Sequence, residues 1–292
     1  MTELFAYAFM QRAFLAGVLI ALTAGLLGTF MVQRRLSFLG DGLAHAAFGG
    51  MGIGAFVIVT SGLLASGGAL LRNPMWIALP ISLLVGLAIA YVKQRTDLSS
   101  DTTIGVFFAV SVAVGVLFFS RIPPDTPLGF DVMDLLFGSI LAVRPAELVF
   151  IAVTAAVACL ILVTAWGKLA YATFDEELAR TDGIHVRRLE YLLFAVAAAV
   201  VAVSSVVVGI VLMAAYLVIP AATARLMSLT LIGATVKAMV IGVVTTVAGI
   251  ALSFLIDAPT GSTIILSQAL LFVVAMVVRT RLSPRSPGVN AR

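Results

Sequence analysis

Long uncharged stretches dominate this sequence and restrict what the chain can fold into. Seven of them run for 18 to 23 residues, and one more, Tyr191–Ala224, runs for 34. A helix that crosses a bilayer needs about 20 consecutive apolar residues, so each of the seven predicts one span. They are Ala13–Val32, Gly42–Leu64, Met75–Val92, Thr102–Phe119, Leu148–Trp166, Ala238–Ile256 and Ala258–Val278.

The stretch Tyr191–Ala224 is too long for a single span. As one helix it would extend ~50 Å, whereas the hydrocarbon core is ~30 Å thick. We therefore predict two helices with a tight reversal between Ser204 and Gly209, which gives nine spans. Phe130–Val143 is too short to cross and predicts a re-entrant or interfacial helix. The expected fold class is all-α, a polytopic transmembrane helix bundle.

Composition supports this class and excludes a soluble domain. Apolar residues make up 62% of the chain, charged residues 11%, and the mean hydropathy is +1.17. The N-terminal residues include Glu3 but no basic region, so we expect no removable signal peptide. The single cysteine, Cys159, lies in an uncharged stretch and provides neither a disulfide framework nor a thiolate cluster.

The basic residues favour one orientation of the nine spans. With the C-terminus in the cytoplasm, 14 of the 18 lysines and arginines fall on cytoplasmic segments, which is the asymmetry that orients membrane proteins. We therefore predict an outside N-terminus, a cytoplasmic segment over 167–190 and a polar cytoplasmic tail over 279–292. All belong to one transmembrane domain that comprises residues 1–292.

An aspartate and a histidine interrupt the apolar sequence at Gly40-Asp41-Gly42-Leu43-Ala44-His45-Ala46. Residues four apart share one helix face, so the carboxylate and the imidazole can converge. Together they are a ligand set for a divalent transition metal, and ionisable groups at membrane depth indicate function. An equally open alternative is that Asp41 caps a transmembrane helix while His45 bonds to a neighbouring carbonyl.

Glycines follow this pair closely, at Gly49, Gly50, Gly52 and Gly54. Small residues allow transmembrane helices to pack closely, and they also occur where an unwound backbone lines a cavity. Both interpretations stay open, with close packing favoured.

The longest polar segment contains Phe174-Asp175-Glu176-Glu177-Leu178-Ala179-Arg180-Thr181-Asp182-Gly183-Ile184. Acidic residues in the first turn and a glycine at the end predict a short amphipathic helix. Such a helix could dock onto a cytoplasmic partner, although a solvated loop is the alternative. The sequence has no phosphate-binding P-loop, no His-Glu-x-x-His and no Gly-x-Ser-x-Gly. Transport is therefore favoured over catalysis.

Four segments resemble, in order, the permease subunits of the zinc-, manganese- and iron-type bacterial ABC importers. Arg34-Arg35-Leu36-Ser37-Phe38-Leu39-Gly40-Asp41-Gly42-Leu43-Ala44-His45-Ala46 is similar to that family's Arg-Arg-Leu-Ser-x-x-Gly-Asp-Ala-x-Ser/Ala-His-Ala. The other three are Leu136–Val143, Phe174–Ile184 and Gly209–Arg225. Gly42 and Ala44 replace residues that are often Ala and Ser in the family, and Gly42 weakens the local helix.

The resemblance implies a bacterial inner-membrane permease, not an enzyme, that imports zinc or manganese, with iron as a third option. Its implied partners are a second permease copy, an ATP-binding cassette subunit, an extracytoplasmic metal-binding protein and membrane lipid, with no nucleic acid. No cofactor is bound permanently. Asp41 and His45 match the metal-coordinating pair, so two chains would supply a four-coordinate site. The residues expected in the ATPase groove are Asp175, Glu176, Glu177, Ala179, Gly183 and Ile184.

Two features leave the function open. Asp41 lies six residues after Arg35, which places the pair near the cytoplasmic end of its span unless the first span ends deep in the membrane. The alternative function is an ion-coupled secondary transporter in which Asp41 and His45 relay protons. A further alternative is a membrane scaffold or sensor that transports nothing.

Overall fold

The computed structural model describes residues 7–63, 74–123, 126, 138 and 140–282, and within them the protein consists of helices joined by short loops, with no strand. Eleven α-helices are labelled here in chain order. They are α1 (Ala8–Gln33), α2 (Leu39–Thr60), α3 (Met75–Arg95), α4 (Ser100–Phe119), α5 (Pro145–Thr164), α6 (Trp166–Phe174), α7 (Glu176–Thr181), α8 (Val186–Val208), α9 (Ile210–Leu226), α10 (Leu231–Ile256) and α11 (Thr260–Leu282).

Nine of these described helices are the predicted apolar spans. Eight are long and apolar enough to cross a membrane, and α9 is a shorter apolar helix of 17 residues. The prediction of an all-α transmembrane bundle is therefore confirmed. Several helices also extend past the uncharged stretches. Charged residues such as Lys93 and Arg279 lie in the last turn of their helices.

The break predicted inside Tyr191–Ala224 is confirmed at Gly209. This residue has φ 83° and ψ 158°, a conformation essentially limited to glycine. Helix α8 runs along α2 from Ala198, whose carbonyl shares the Ser82 hydroxyl with that of Leu43, to Ser205 beside Met51. Helix α9 returns from Ile210 beside Met51 to Leu217 beside Gly40, so the chain reverses at Gly209. Along α2 those two contact points are ~16 Å apart.

The re-entrant helix predicted over 130–143 falls mainly outside the described residues. Within that range, Ile140–Ala142 form one turn of 3₁₀-helix, and Ile140 is buried. Its side chain faces Gly17 of α1. This short turn therefore packs against the centre of the bundle.

Three helices form the centre of the bundle. The apolar windows of α1, α2 and α8 are each 72% buried, compared with 22 to 39% for α3, α4, α5, α10 and α11. The outer helices expose large apolar side chains, including Leu84, Leu160 and Leu266, as expected where a surface faces lipid. Asp41 and His45 thus lie on a central helix.

One end of the bundle collects most of the basic residues and is called the basic end below. It contains the loop between α1 and α2 (34–38), the helices α6 and α7, and the loop between α9 and α10 (227–230). Side-chain contacts hold it together, since Arg34 bonds to Thr173 and Lys93 pairs with Glu190. The segment that was predicted to dock a partner therefore lies at the same end as the start of α2.

Candidate metal site and coupling segment

The candidate metal ligands lie in the first two turns of α2. Helix α1 ends at Gln33, Arg35 adopts a left-handed conformation (φ 58°), and α2 begins at Leu39. Asp41 is then the third residue of α2 and His45 the seventh. About 22 Å of helix follows His45, so the pair lies in the half of α2 that is closer to the basic end. This agrees with the short distance in sequence between Arg35 and Asp41.

The two side chains converge as their spacing predicted. His45 Nδ1 lies 3.5 Å from Asp41 Oδ1 and 3.0 Å from the Asp41 backbone oxygen. A carbonyl oxygen can only accept, so this contact assigns the proton to Nδ1. The other ring nitrogen, Nε2, then carries its lone pair and can bind a metal.

The alternative of a simple helix cap is wrong for Asp41. The N-cap of α2 is Phe38, and no side chain there bonds to a free backbone amide. The second half of that alternative is correct, because His45 does bond to a carbonyl. That bond and metal binding use different ring nitrogens, so the two interpretations of His45 are compatible.

Helix α4 shapes the surroundings of His45. The ring of Phe108 lies edge-on to the imidazole, with 4.3 Å between centroids. One turn earlier on α4, Ile104 lies against Gly42, where an added Cβ would come within 2.6 Å of its side chain. Gly42 therefore gives α4 room to approach the candidate ligands, although it is a poor helix former.

The glycines after His45 serve close packing, and the unwound alternative is wrong. Helix α2 is continuous from Leu39 to Thr60. A Cβ at Gly49 or Gly52 would lie 2.7 or 2.8 Å from a carbonyl oxygen of α4, and one at Gly50 would lie 2.7 Å from the Ala78 Cα of α3. These glycines let both neighbouring backbones contact α2 directly.

One chain brings two candidate ligands together. The His45 side chain is 17% exposed and that of Asp41 is 41% exposed, so both can be reached from outside the protomer. Among the residues that the structure describes, no group of three or more His, Cys, Asp or Glu side chains could hold a metal. A four-coordinate metal here would need donors from elsewhere.

The predicted amphipathic helix is present as α7 and has the predicted start. The Asp175 carboxylate caps it by accepting from the Leu178 amide at 2.8 Å. Glu176 and Glu177 occupy its first turn, where negative charge is favourable. All three acidic side chains are exposed.

The end of α7 is a Schellman motif, as the glycine predicted. Gly183 has φ 80°, its amide donates to the Arg180 carbonyl, and the Ile184 amide donates to the Ala179 carbonyl at 2.9 Å. This pattern satisfies the last carbonyls of the helix. Ala179 is fully buried, so it packs α7 onto the protein and does not face outwards as the acidic residues do.

Two exposed apolar side chains on this segment were missed by the sequence analysis. Phe174 is 69% exposed and Leu178 is 49% exposed, and they flank the acidic first turn of α7. Their four-residue separation beside an acidic run was the available signal.

We define residues 166–184, which comprise α6, α7 and the turn after α7, as the coupling segment. Within it, the Tyr171 hydroxyl of α6 donates a hydrogen bond to the Asp182 carboxylate at the end of α7. This bond is the main reason why the pKa of Tyr171 is raised to about 12. The phenol therefore stays protonated and donates to Asp182 throughout the physiological pH range.

Residues 6–279 of the chain match the sequence model of the ABC 3 transport family. The chain belongs to this family. The zinc uptake membrane protein ZnuB of Haemophilus influenzae is 28% identical over 270 residues, covering 92% of this chain and 97% of ZnuB. The manganese transport membrane protein MntC of Halalkalibacterium halodurans is 30% identical over 273 residues, covering 94% of this chain and 88% of MntC.

A solved structure has the same fold. PsaBC from Streptococcus pneumoniae, in complex with Fab, superposes with a TM-score of 0.79 at 27% identity, with 96% of each chain covered. The resemblance to ABC importer permeases is thus confirmed at the level of the family. The predicted location of this ABC 3 family member, as a multi-pass protein of the bacterial inner membrane, is also confirmed.

A polar cluster at the basic end of this ABC 3 family member was not anticipated. Arg34 Nε donates to Thr173 Oγ1 at 2.9 Å, while Glu190 accepts from Lys93 and, at 3.0 Å, from Gln94. Burial lowers the pKa of Arg34, and the carboxylates of Glu190 and Glu176 oppose this effect. The side chains belong to α3, α6, α8 and the loop after α1, so no sequence pattern links them.

Proposed function

We propose that this chain is the permease of an ABC importer that moves zinc or manganese into the cytoplasm, driven by ATP hydrolysis in a separate subunit. Family membership supports the transporter class, and relatives named for zinc uptake and manganese transport support the substrate class. The observation that carries the proposal is the Asp41–His45 geometry. It offers a carboxylate and a free imidazole nitrogen from one face of a central helix.

The metal site is proposed to form between two copies of the chain. Asp41 and His45 supply two ligands, and zinc in a closed site takes four. Both side chains remain accessible in the single protomer, as a site shared with a second copy requires. Two carboxylate oxygens and two imidazole nitrogens also suit manganese and iron. The ligand types therefore do not identify the transported metal, and an uptake measurement must do so.

The coupling segment is proposed to dock into the ATPase subunit. Asp175, Glu176, Glu177 and Gly183 lie on its exposed side, whereas Ala179 and Ile184 hold α7 against the protein. Phe174 and Leu178 supply exposed apolar anchors, which commonly dominate the energy of an interface. The excess of basic residues at this end favours a cytoplasmic location, with the metal-binding partner on the opposite side.

The ligand assignment is tested by metal uptake in cells that lack their own zinc and manganese importers. His45→Ala and Asp41→Asn should each abolish growth under metal starvation while the ATPase subunit still co-purifies. Asp101→Asn is the matched control, since Asp101 is an exposed carboxylate in the first turn of the adjacent α4. Uptake by His45→Ala at the wild-type rate would refute the assignment.

Binding stoichiometry and substrate are tested separately. The purified complex should hold one Co²⁺ ion per two permease chains, with an absorption spectrum that is lost in His45→Ala. One ion per chain would contradict a shared site. The metal whose starvation the gene relieves identifies the physiological substrate. Family membership favours this importer over the proton-relay alternative, and transport without any ATPase subunit would reverse that preference.

A further inference from the structure

The end of α1 and the residue that follows it each contact α6. Phe30 lies in the last turn of α1, and Arg34 caps that helix four positions later, with its amide donating to the Phe30 carbonyl. The Phe30 ring meets the Trp166 ring edge-on with 4.8 Å between centroids, and Arg34 Nε donates to Thr173 Oγ1 at 2.9 Å. Trp166 begins α6 and Thr173 is next to its last residue. Helix α6 is thus held near both of its ends, by Phe30 at Trp166 and by Arg34 at Thr173.

Arg34 has a second buried donor atom besides Nε. Its Nη2 atom is buried and has no hydrogen-bond partner in the part of the chain that the structure describes. Glu190 and Glu176 are close enough to act on the Arg34 charge, but Glu190 already accepts from Lys93 and Gln94. A buried, unsatisfied charged donor is costly. A small shift of α7, which carries Glu176, or of α8, which carries Glu190, would therefore lower the energy if it brought a carboxylate within reach of Nη2.

The connection from Arg34 to α2 is short and internally bonded. The Leu36 amide donates to the Met31 carbonyl at 2.8 Å, and the Leu39 amide donates to the Leu36 carbonyl at 3.0 Å. Leu36 and Leu39 are fully buried. Because the loop has no slack, a displacement of Arg34 moves the first turn of α2, which carries Asp41.

We propose that Arg34 is a positioning residue that transmits movement of the coupling segment to the metal-binding start of α2. The inference rests on the proposed function and adds the residue through which the two sites communicate. Thr173 is its counterpart on α6. Docking of an ATPase subunit on α7 moves α6, and the Arg34–Thr173 bond carries that movement into the loop before Asp41. The bond orients the site and does not bind the metal.

The test uses the full complex in proteoliposomes and measures radioactive Zn²⁺ or Mn²⁺ transported per ATP hydrolysed. Arg34→Gln and Thr173→Val should each lower this ratio by about tenfold, the size expected for losing a hydrogen bond to a charged group. Metal binding and ATPase co-purification should remain at wild-type levels. The double variant should be no worse than either single one, since both remove the same contact.

Arg35→Gln is the matched control, because Arg35 is the neighbouring exposed arginine and the substitution removes the same charge outside the contact with α6. It should transport normally, and Arg34→Lys should recover part of the ratio through its charge. A wild-type ratio in Arg34→Gln would overturn the inference, as would an equal loss in Arg35→Gln. The inference would also be overturned if Arg34→Gln lost transport because it no longer bound the ATPase subunit. A wild-type complex that moves no metal would instead refute the proposed function, on which the inference depends.

Discussion

Replacing Gly183 by alanine isolates the contribution of one backbone conformation to the coupling segment. Gly183 has φ 80°, and a Cβ added there would meet no atom within 4 Å. The substitution therefore introduces no steric clash with the rest of the protein. Its whole cost arises because an L-residue disfavours the left-handed conformation.

That cost is about 1–2 kcal/mol for alanine, which corresponds to a factor of roughly 5 to 30 in the local opening equilibrium. The amide of Ile184 reports this opening, because it donates to the Ala179 carbonyl only while the Schellman motif is closed. Its hydrogen-exchange protection should fall by the same factor. Gly183→Asn should fall less, since asparagine tolerates this conformation better.

Hydrogen exchange followed by mass spectrometry on the detergent-solubilised protein gives the measurement. Gly167→Ala is the control, since Gly167 lies in helix α6, also has no atom within 4 Å of an added Cβ, and has no positive φ. It should leave Ile184 protection unchanged or raise it slightly. Equal protection of Ile184 in Gly183→Ala and wild type would refute the reasoning, as would an equal loss in both alanine variants.

Two further substitutions test the packing of the bundle. Gly49→Val should destabilise the protein by about 1–3 kcal/mol, because its side chain would collide with the Ser111 carbonyl. Thermal unfolding in detergent measures this, with Gly105→Val on the open face of α4 as control. Thr246→Val should cost about 1–3 kcal/mol in the same assay, because it leaves the fully buried Tyr216 hydroxyl without its partner at 2.6 Å.

The outcomes that contradict these two expectations are distinct. Equal thermal stability of Gly49→Val and Gly105→Val would mean that α4 does not pack directly on the α2 backbone. Thr246→Ser keeps a hydroxyl group and should retain most of the stability. If the serine variant, which keeps the hydroxyl group, were as unstable as the valine variant, the Tyr216 bond would not explain the loss.

The sequence predicted the secondary structure well because membrane helices depend on local composition. The spans, the break at Gly209 and the cap and glycine that bound α7 follow from hydropathy and from backbone conformations that few residues adopt. The four-residue spacing likewise predicted the convergence of Asp41 and His45. The orientation of the bundle in the membrane and the metal-binding role of this pair remain predictions.

Long-range contacts could not be predicted in this way. Arg34 and Thr173 are 139 positions apart, and Lys93 and Glu190 are 97 apart. Nothing in the local sequence distinguishes these polar residues from the other charges of the basic end. The exposed apolar side chains of Phe174 and Leu178 were also missed, because their exposure depends on how α6 and α7 pack against α1 and α8.

The sequence by itself determined that this chain is a bundle of apolar helices with a carboxylate and an imidazole on one helical face. It could do so because hydrophobic length and helical periodicity act over a few turns. Only the tertiary structure decided that the following glycines pack α2 against α3 and α4, and that His45 Nδ1 bonds to the backbone and leaves Nε2 free. It also decided that Arg34, in the loop before α2, is bonded to the coupling segment through Thr173, because such contacts depend on which helices become neighbours.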